Sequence, residues 1–370
     1  MAKNIFLTGA TGFVGAGLAV HYLRQGNTVY ALCRGGEAVR VERALTSIDP
    51  NELWRSGTLH VVPGDVTFED VGLTRSWSNR LNGGIDLVLH AAGHIKFEDE
   101  DPLNMEINLL GSQMMAQVAK EMRWGRFVYI STAYVCGTAT GWIEEKLVPK
   151  MQDIHNGYEY SKILAEHAIR DMLGGRATIV RPSIVVGALG SGWEGSTPVT
   201  FAGYYGYFKG FDWLRRQMNS DGSRVDLGAL RIPGDPAAEI NIIPIDNLVG
   251  MIAAVADDPD SEGGVFHAVH PEGPLYSSLV RQSLEVMNID GGRIVLPDSP
   301  EASTDLTPIE TLIKGAVRPF MGYVGEQRRF KTEQMGRYYD MARVPQIGQD
   351  EVRRLLEPAI RCRFKPVDRR

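Results

Sequence analysis

The segment Gly9-Ala10-Thr11-Gly12-Phe13-Val14-Gly15 follows an apolar run, Asn4–Thr8, and opens an amphipathic stretch, Val14–Gln25. A strand that must turn straight into a helix through glycines leaves few folds open. Gly9 permits the tight turn out of the strand, Gly12 lets backbone N–H groups approach an anion, and Gly15 lets the helix lie close on the sheet. An anion held there sits at the positive end of the helix dipole, as a dinucleotide pyrophosphate does. Gly9, Thr11, Gly12, Phe13, Val14 and Gly15 are therefore candidate cofactor-binding residues. The spacing is GxxGxxG rather than GxGxxG. A glycine-rich strand–helix turn without a ligand would look similar in isolation, and the context of the first strand favours the ligand.

The first half of the chain repeats this rhythm. Short apolar runs at Thr28–Cys33, Leu59–Pro63, Leu87–His90, Phe127–Ser131 and Ala177–Arg181 alternate with helical patterns at Glu37–Ile48, Asn108–Glu121 and Tyr158–Met172. Strands separated by helices build βαβ units, so the expected fold class is α/β: a Rossmann-type doubly wound parallel sheet with a smaller C-terminal substrate-binding cap. The rhythm fades from about residue 188 and returns at 241–257, INIIPIDNLVGMIAAVA, as a short strand, a turn and an apolar helix. Residues 1–187 and 241–257 are read as the nucleotide-binding domain. Residues 188–240 and 258–370 are read as the cap, the latter a mixture of helices and turns whose order the pattern does not specify.

Several functions are disfavoured by composition. A net charge of −6 supplies no basic field for nucleic acid or an anionic membrane surface. Three cysteines without a CxxC pair fit a reducing cytoplasm better than a disulfide framework, and no HExxH spacing points to a metal. No run approaches ~20 uninterrupted apolar residues, so no membrane span is expected. The run after Lys3 is broken by Gly9, Gly12, Gly15 and Gly17 and ends in no cleavage pattern, so it is not read as a leader.

The second strand ends Cys33-Arg34-Gly35, with no acid at its tip. An acid there would bind ribose hydroxyls, whereas the planar guanidinium of Arg34 suits a 2′-phosphate, which points to NADP(H). Arg40 and Arg43, one turn apart on the next helix, offer a second phosphate contact or simply a solvated face; Arg43 is the one assigned to the cofactor. Asp65 and Val66 follow the third strand where an adenine amine would need an acceptor, and Ala91, Ala92 and Gly93 follow the fourth, leaving room for a ribose against backbone. Tyr158 and Lys162 lie four apart on a helical pattern, so phenol and ammonium share a face. A lysine charge beside a phenol is expected to lower its pKa from ~10 and fit it for proton transfer. Ser131-Thr132 end the preceding apolar run, where a hydroxyl can stabilise charge developing on a carbonyl oxygen. Asn108 either orients the lysine or caps a helix. His94 stands at the mouth of the fourth-strand turn, in contact with a ligand or in a structural role.

Taken together, GATGFVG, STAYVCG, YEYSK and RPSIVVG, with IIPIDNL at 242–248, resemble the extended short-chain dehydrogenase/reductase superfamily. That resemblance implies a nicotinamide cofactor, a substrate domain towards the C-terminus and a catalytic group of Thr132, Tyr158 and Lys162. It places the catalytic hydroxyl second in the Ser-Thr pair, and it brings Pro182 and Ser183 to the cofactor. Within the superfamily, PGDVTFEDVGL (63–73), HAAGHIKFEDED (90–101) and the STAYV form are similar to fatty acyl-CoA reductases and carrier-protein thioester reductases. Members of that branch use NADPH to convert a thioester to an aldehyde, sometimes onward to an alcohol. Neither a carrier nor an adenylation domain is present, so the implied partner is a small-molecule thioester or a carrier protein in trans; the superfamily also implies a homodimer.

Other readings share these residues. A reductase or dehydrogenase of a ketone or secondary alcohol, hydroxysteroid- or flavonoid-like, would use the same group. A nucleotide-sugar epimerase or dehydratase is disfavoured by Arg34 and by the lack of Asp-Glu after Thr132, and a non-catalytic nucleotide-binding protein by the intact group. Eight aromatics between Trp193 and Trp213 either line an apolar pocket or pack the cap.

Overall fold

The computed structural model describes residues 2–97, 101–218 and 223–365. Seven strands form one parallel sheet: β1 (Asn4–Thr8), β2 (Thr28–Cys33), β3 (Thr58–Pro63), β4 (Leu87–His90), β5 (Arg126–Ile130), β6 (Ala177–Pro182) and β7 (Val265–Ala268). Their spatial order is β7-β6-β5-β4-β1-β2-β3. β1 pairs with β2 on one side (Thr8 opposite Leu32) and with β4 on the other (Thr8 opposite His90). Strand order therefore reverses at β1, where an open α/β sheet forms a crevice beyond its carboxyl ends. Every residue of β4 and all but the first of β1 are buried, which is why these strands read as unbroken apolar runs.

Each sheet face carries its own core. On one face pack α1 (Phe13–Arg24), α2 (Ala38–Ile48) and α7 (Ile245–Asp257), burying Leu18, Leu45 and Leu248. On the other pack α4 (Gly111–Glu121) and α5 (Gly157–Leu173), burying Met115, Ala165 and Ile169. Gly17 lets α7 lie against α1, since a Cβ there would stand 3.0 Å from Val249 Cγ2. A further core gathers α6 (Tyr204–Met218), α8 (Tyr276–Val286) and the last helix, Gln349–Arg361.

The structure departs from the sequence expectation in three places and decides between the two readings of the aromatic crowd. Val265–Ala268, within the stretch read as cap, joins the main sheet as β7, beside β6. A short helix, α3 (Arg75–Leu81), is capped by Thr74, whose hydroxyl accepts from Trp77 N. The pattern at Asn108–Glu121 is two elements, a π-helical stretch over Asn104–Leu110 and then α4. The aromatic crowd is packing: Tyr204, Tyr205, Tyr207, Phe208 and Phe211 are buried in the further core, and Trp213 is 44% exposed. Their hydroxyls are used internally, as where Gly187 N donates to Tyr205 Oη at 2.8 Å.

Chain exit and return are clasped together. After β6, Ile184–Val186 pairs in parallel with Ile242–Pro244. Asp246 then accepts from the N–H groups of Leu189 and Gly190 at 3.0 and 2.8 Å, which gives the Pro-Ile-Asp turn its structural purpose.

Candidate active site

The glycine loop is built by close backbone contact. Gly9 has φ +78°, and a Cβ there would stand 2.6 Å from Ala91 O; one on Gly15 would stand 2.2 Å from Gly9 O. Neither position tolerates a side chain. Gly12 differs: its added Cβ would meet only Gly9 O, at 3.2 Å, so the loop is open above it. Gly12 is the N-cap of α1 and has no side-chain cap, which leaves the first-turn N–H groups to a ligand or water. Thr11, Phe13 and Val14 are half-buried around the opening. Across the switch point, Thr8 Oγ1 accepts from Ala92 N at 3.0 Å and is bonded to His90 Nδ1 at 2.7 Å, while His90 Nε2 meets Ser112 Oγ at 2.9 Å. Burial and the nearby Lys162 charge hold the His90 pKa down to about 3, so this buried brace is neutral.

The structure brings Thr132, Tyr158 and Lys162 to the carboxyl edge beside this loop. Thr132 follows β5, and Tyr158 and Lys162 occupy the first turns of α5, which Asn156 caps by accepting from Glu159 N at 3.0 Å. All three are buried, and the hydroxyls of Thr132 and Tyr158 share a hydrogen bond. Lys162 Nζ donates to Ile130 O at 2.8 Å and lies 4.3 Å from the centre of the Tyr129 ring. Gly93 keeps the adjoining turn thin: a Cβ there would stand 3.3 Å from Asn108 Oδ1 and 4.0 Å from Lys162 Nζ.

One electrostatic expectation is overturned. Burial pushes the Tyr158 phenol up to about 12, against the smaller lowering by its Thr132 hydrogen bond, and Lys162 is not among the causes. Burial also lowers Lys162 to about 7, with Glu166 opposing. Desolvation thus outweighs the charge–charge attraction expected of the pair. The phenol is held protonated and can donate, and the lysine is poised between its charged and neutral forms.

The remaining candidates divide. Two buried hydroxyls, Ser131 Oγ and Ser183 Oγ, have no hydrogen-bond partner among the described residues. They stand at the carboxyl ends of β5 and β6, next to Thr132 and to the buried Pro182, and orphaned hydroxyls at this edge fit a polar ligand. With the open cradle at Gly12, they make the site fit a dinucleotide. Asp65 accepts from Thr67 N and Oγ1 on one carboxylate oxygen, both at 3.0 Å, and Val66 packs on α4 at Gly111. Arg34 is exposed at the tip of β2 and Arg43 is exposed midway along α2, while Arg40 meets Glu37 at 3.6 Å.

Asn108 proves to be a tie rather than a cap. It accepts from His94 N at 2.8 Å and donates to His94 O and Ser161 Oγ, both at 2.9 Å, bolting the Gly93–His94 turn to α5. His94 Nε2 meets Asp101 Oδ2 at 3.0 Å, and Ser112, which meets His90, donates to Asn108 O at 2.6 Å, so the two histidines are joined through Asn108. Of the 90–101 motif, Glu98, Asp99 and Glu100 lie outside the described residues. Sequence reasoning missed an aromatic cluster around Tyr158, made by Phe97, Tyr134, Phe320 and Tyr323. Phe97 stands within the resemblance motif, but nothing in the local sequence links it to residues 320–323.

A parallel sheet with a glycine loop at its switch point and a Thr–Tyr–Lys group at its carboxyl edge defines an extended short-chain dehydrogenase/reductase. More narrowly, the chain belongs to the male sterility protein family of NAD(P)-binding domains, which it matches over residues 7–252. Fatty acyl-CoA reductase 1 of Gallus gallus is 26% identical over 299 residues, 69% of this chain and 54% of that protein. The chain spans about half the length of the curated relatives it matches first. Among solved structures, the terminal R domain from the myxalamid PKS-NRPS biosynthetic pathway superposes with a TM-score of 0.75 at 22% identity, covering 98% of this chain and 92% of that one. A thiolation-reductase di-domain from an archaeal non-ribosomal peptide synthetase gives 0.70 at 18% identity, covering 99% and 77%. These likenesses bear on the fold. Among the described residues no helix is long and apolar enough to cross a membrane.

Proposed function

We propose that this chain is an NADPH-dependent reductase of acyl thioesters, bound to coenzyme A or to a carrier protein in trans, yielding an aldehyde or alcohol. The observation that carries the reading is the buried Thr132–Tyr158 hydroxyl pair, with its phenol held protonated, beside an open dinucleotide cradle. Membership of a family whose curated relatives include fatty acyl-CoA reductases supports the thioester as substrate.

The dinucleotide, when bound, supplies a hydride to the thioester carbonyl carbon. Thr132 and Tyr158 donate hydrogen bonds to the carbonyl oxygen as negative charge gathers there, in a pocket too dry for water to do so. When the carbonyl re-forms, the carbon–sulfur bond breaks, the thiolate departs and takes a proton, and an aldehyde remains. The thioester step asks of Tyr158 only a hydrogen bond, which suits a phenol pushed up to about 12. Going on to the alcohol requires the phenol proton itself to pass to the alkoxide. Lys162, poised near neutrality, is the group to restore it. Ser131 and Ser183 supply unpaired donors for polar groups of the ligand. Arg34, at the β2 tip, and Arg43, on α2, are assigned to the 2′-phosphate and make NADPH the preferred donor.

The test is a panel of acyl-CoA, acyl-pantetheine, ketone and aldehyde substrates, followed by NADPH oxidation and free-thiol release. Thiol appearing in step with NADPH loss is the expected result. NADPH loss with ketones alone would assign the site to the secondary-alcohol class instead.

A further inference from the structure

We infer that Phe97 and Phe320 form the acyl-side wall of the catalytic centre and set which acyl groups it admits; the inference rests on the thioester reading above. The Phe97 ring meets the Tyr158 ring edge-on with centroids 6.1 Å apart, and it meets the Phe320 ring at 6.0 Å. Both phenylalanines are half-buried, whereas Tyr158 beside Phe97 is 9% exposed. Phe97 thus covers the reacting phenol while keeping part of its own surface open to a ligand, and Phe320 extends that layer.

The wall is fixed relative to the phenol. Tyr323 lies 5.6 Å from Phe97, donates its hydroxyl to Glu159 Oε1 at 2.8 Å and accepts from Asn156 Nδ2 at 2.8 Å. Glu159 and Asn156 belong to the same first turn and cap of α5 that present Tyr158. The far side of Phe320 rests on Tyr207 of the further core at 5.9 Å, and Gly206 leaves space for it, since a Cβ there would stand 3.3 Å from Phe320 Cζ. Phe320 is therefore held between the second core and the catalytic helix. Phe320 itself lies outside the 7–252 family match, whereas Phe97, Gly206 and Tyr207, which it packs against, lie within it.

The chemistry of the wall states its ligand. Two hydrocarbon rings offer no hydrogen bond to an acyl substituent, so they favour an apolar acyl group beside the carbonyl. A ring this close to the phenol, with Phe320 packed against it, leaves little width at the carbon next to the carbonyl. Straight-chain acyl groups are admitted there, and α-branched or aryl groups are held off. The wall acts on fit and takes no part in proton or hydride transfer.

The experiment compares the full chain with Phe320→Ala and Phe97→Ala, using NADPH and straight-chain acyl-CoAs from butyryl to palmitoyl beside 2-methyl-branched and benzoyl thioesters. Phe320→Leu and Phe97→Leu serve where an alanine variant does not fold, and unchanged NADPH affinity reports an intact cofactor site. We expect the kcat/KM ratio of branched or aryl over straight-chain substrate to rise about tenfold in the alanine variants, with a smaller rise in the leucine ones. A ratio equal to wild type in a folded variant overturns the wall, as does an equal loss for every thioester. Wild-type protein that reduces no thioester in the series overturns the underlying reading instead.

Discussion

The proposed catalytic centre and the proposed phosphate site around β2 and α2 both carry ionisable side chains, yet in opposite surroundings. Thr132, Tyr158 and Lys162 are buried, so desolvation decides their protonation, and it overrides the attraction between phenol and ammonium. Arg34 and Arg43 stand exposed to water, which screens the charges there. Substitutions in the dry centre should therefore cost orders of magnitude in rate, and those at the wet phosphate site only a modest, salt-sensitive preference.

The sharpest way to break this contrast is Tyr158→Phe. It should lower turnover roughly a thousandfold while NADPH affinity stays within about twofold; steady-state rates with a tenth of wild-type activity would remove the phenol from the chemistry. Thr132→Val should cost about a hundredfold, equally in kcat and kcat/KM, because its hydrogen bond matters only as charge develops. A KM effect alone would make Thr132 a binding residue.

Lys162 tests the burial argument through pH. Its pKa, lowered to about 7 by burial, means that the cofactor-free protein loses this proton as pH rises through neutrality. An unfolded lysine keeps its proton to ~10.4. The folding penalty from this group is therefore full below about pH 7 and fades as pH rises towards that unfolded value. A bound anionic dinucleotide should restore the ammonium, so binding near pH 8 should take up close to one proton, and affinity should fall by up to about tenfold per pH unit above 7. Calorimetry in two buffers of different ionisation enthalpy reads the uptake, and Lys162→Met should abolish it. The smallest effect belongs to the tip: Arg34→Ala should reduce the NADPH-over-NADH preference about tenfold, less at high salt. Equal wild-type affinities for the two cofactors would undo the phosphate assignment.

What was legible in the sequence follows the same line between local and distant causes. The first six strands begin and end within one residue of their apolar runs; the inner ones are buried on both faces and leave a continuous hydrophobic signature, while β3, at the sheet edge, is only partly buried. The glycine loop was legible because each glycine answers a contact within a few residues or at one neighbouring turn. β7 was not, since Val265–Ala268 is four residues long, with no βα rhythm to announce it after a long excursion. The helix Arg75–Leu81 is too short and polar to show periodicity. Chemically, Tyr158 and Lys162 could be named from spacing and Thr132 from the family resemblance, but the sign of the phenol's shift could not, because it depends on burial. Phe320 and Tyr323 were invisible as site residues, for tertiary packing alone carries them to Tyr158.

The pairing of Ile184–Val186 with Ile242–Pro244, locked by Asp246, gives the intervening stretch the character of a cassette. Its two ends are hydrogen-bonded side by side before and after the excursion, so the sheet does not sense how long that excursion is. Because loop-closure entropy grows only slowly with length, insertions and deletions between residues 187 and 241 should be tolerated far better than changes in the clasp itself. A chain built this way can trade one insert for another while the sheet stays as it is.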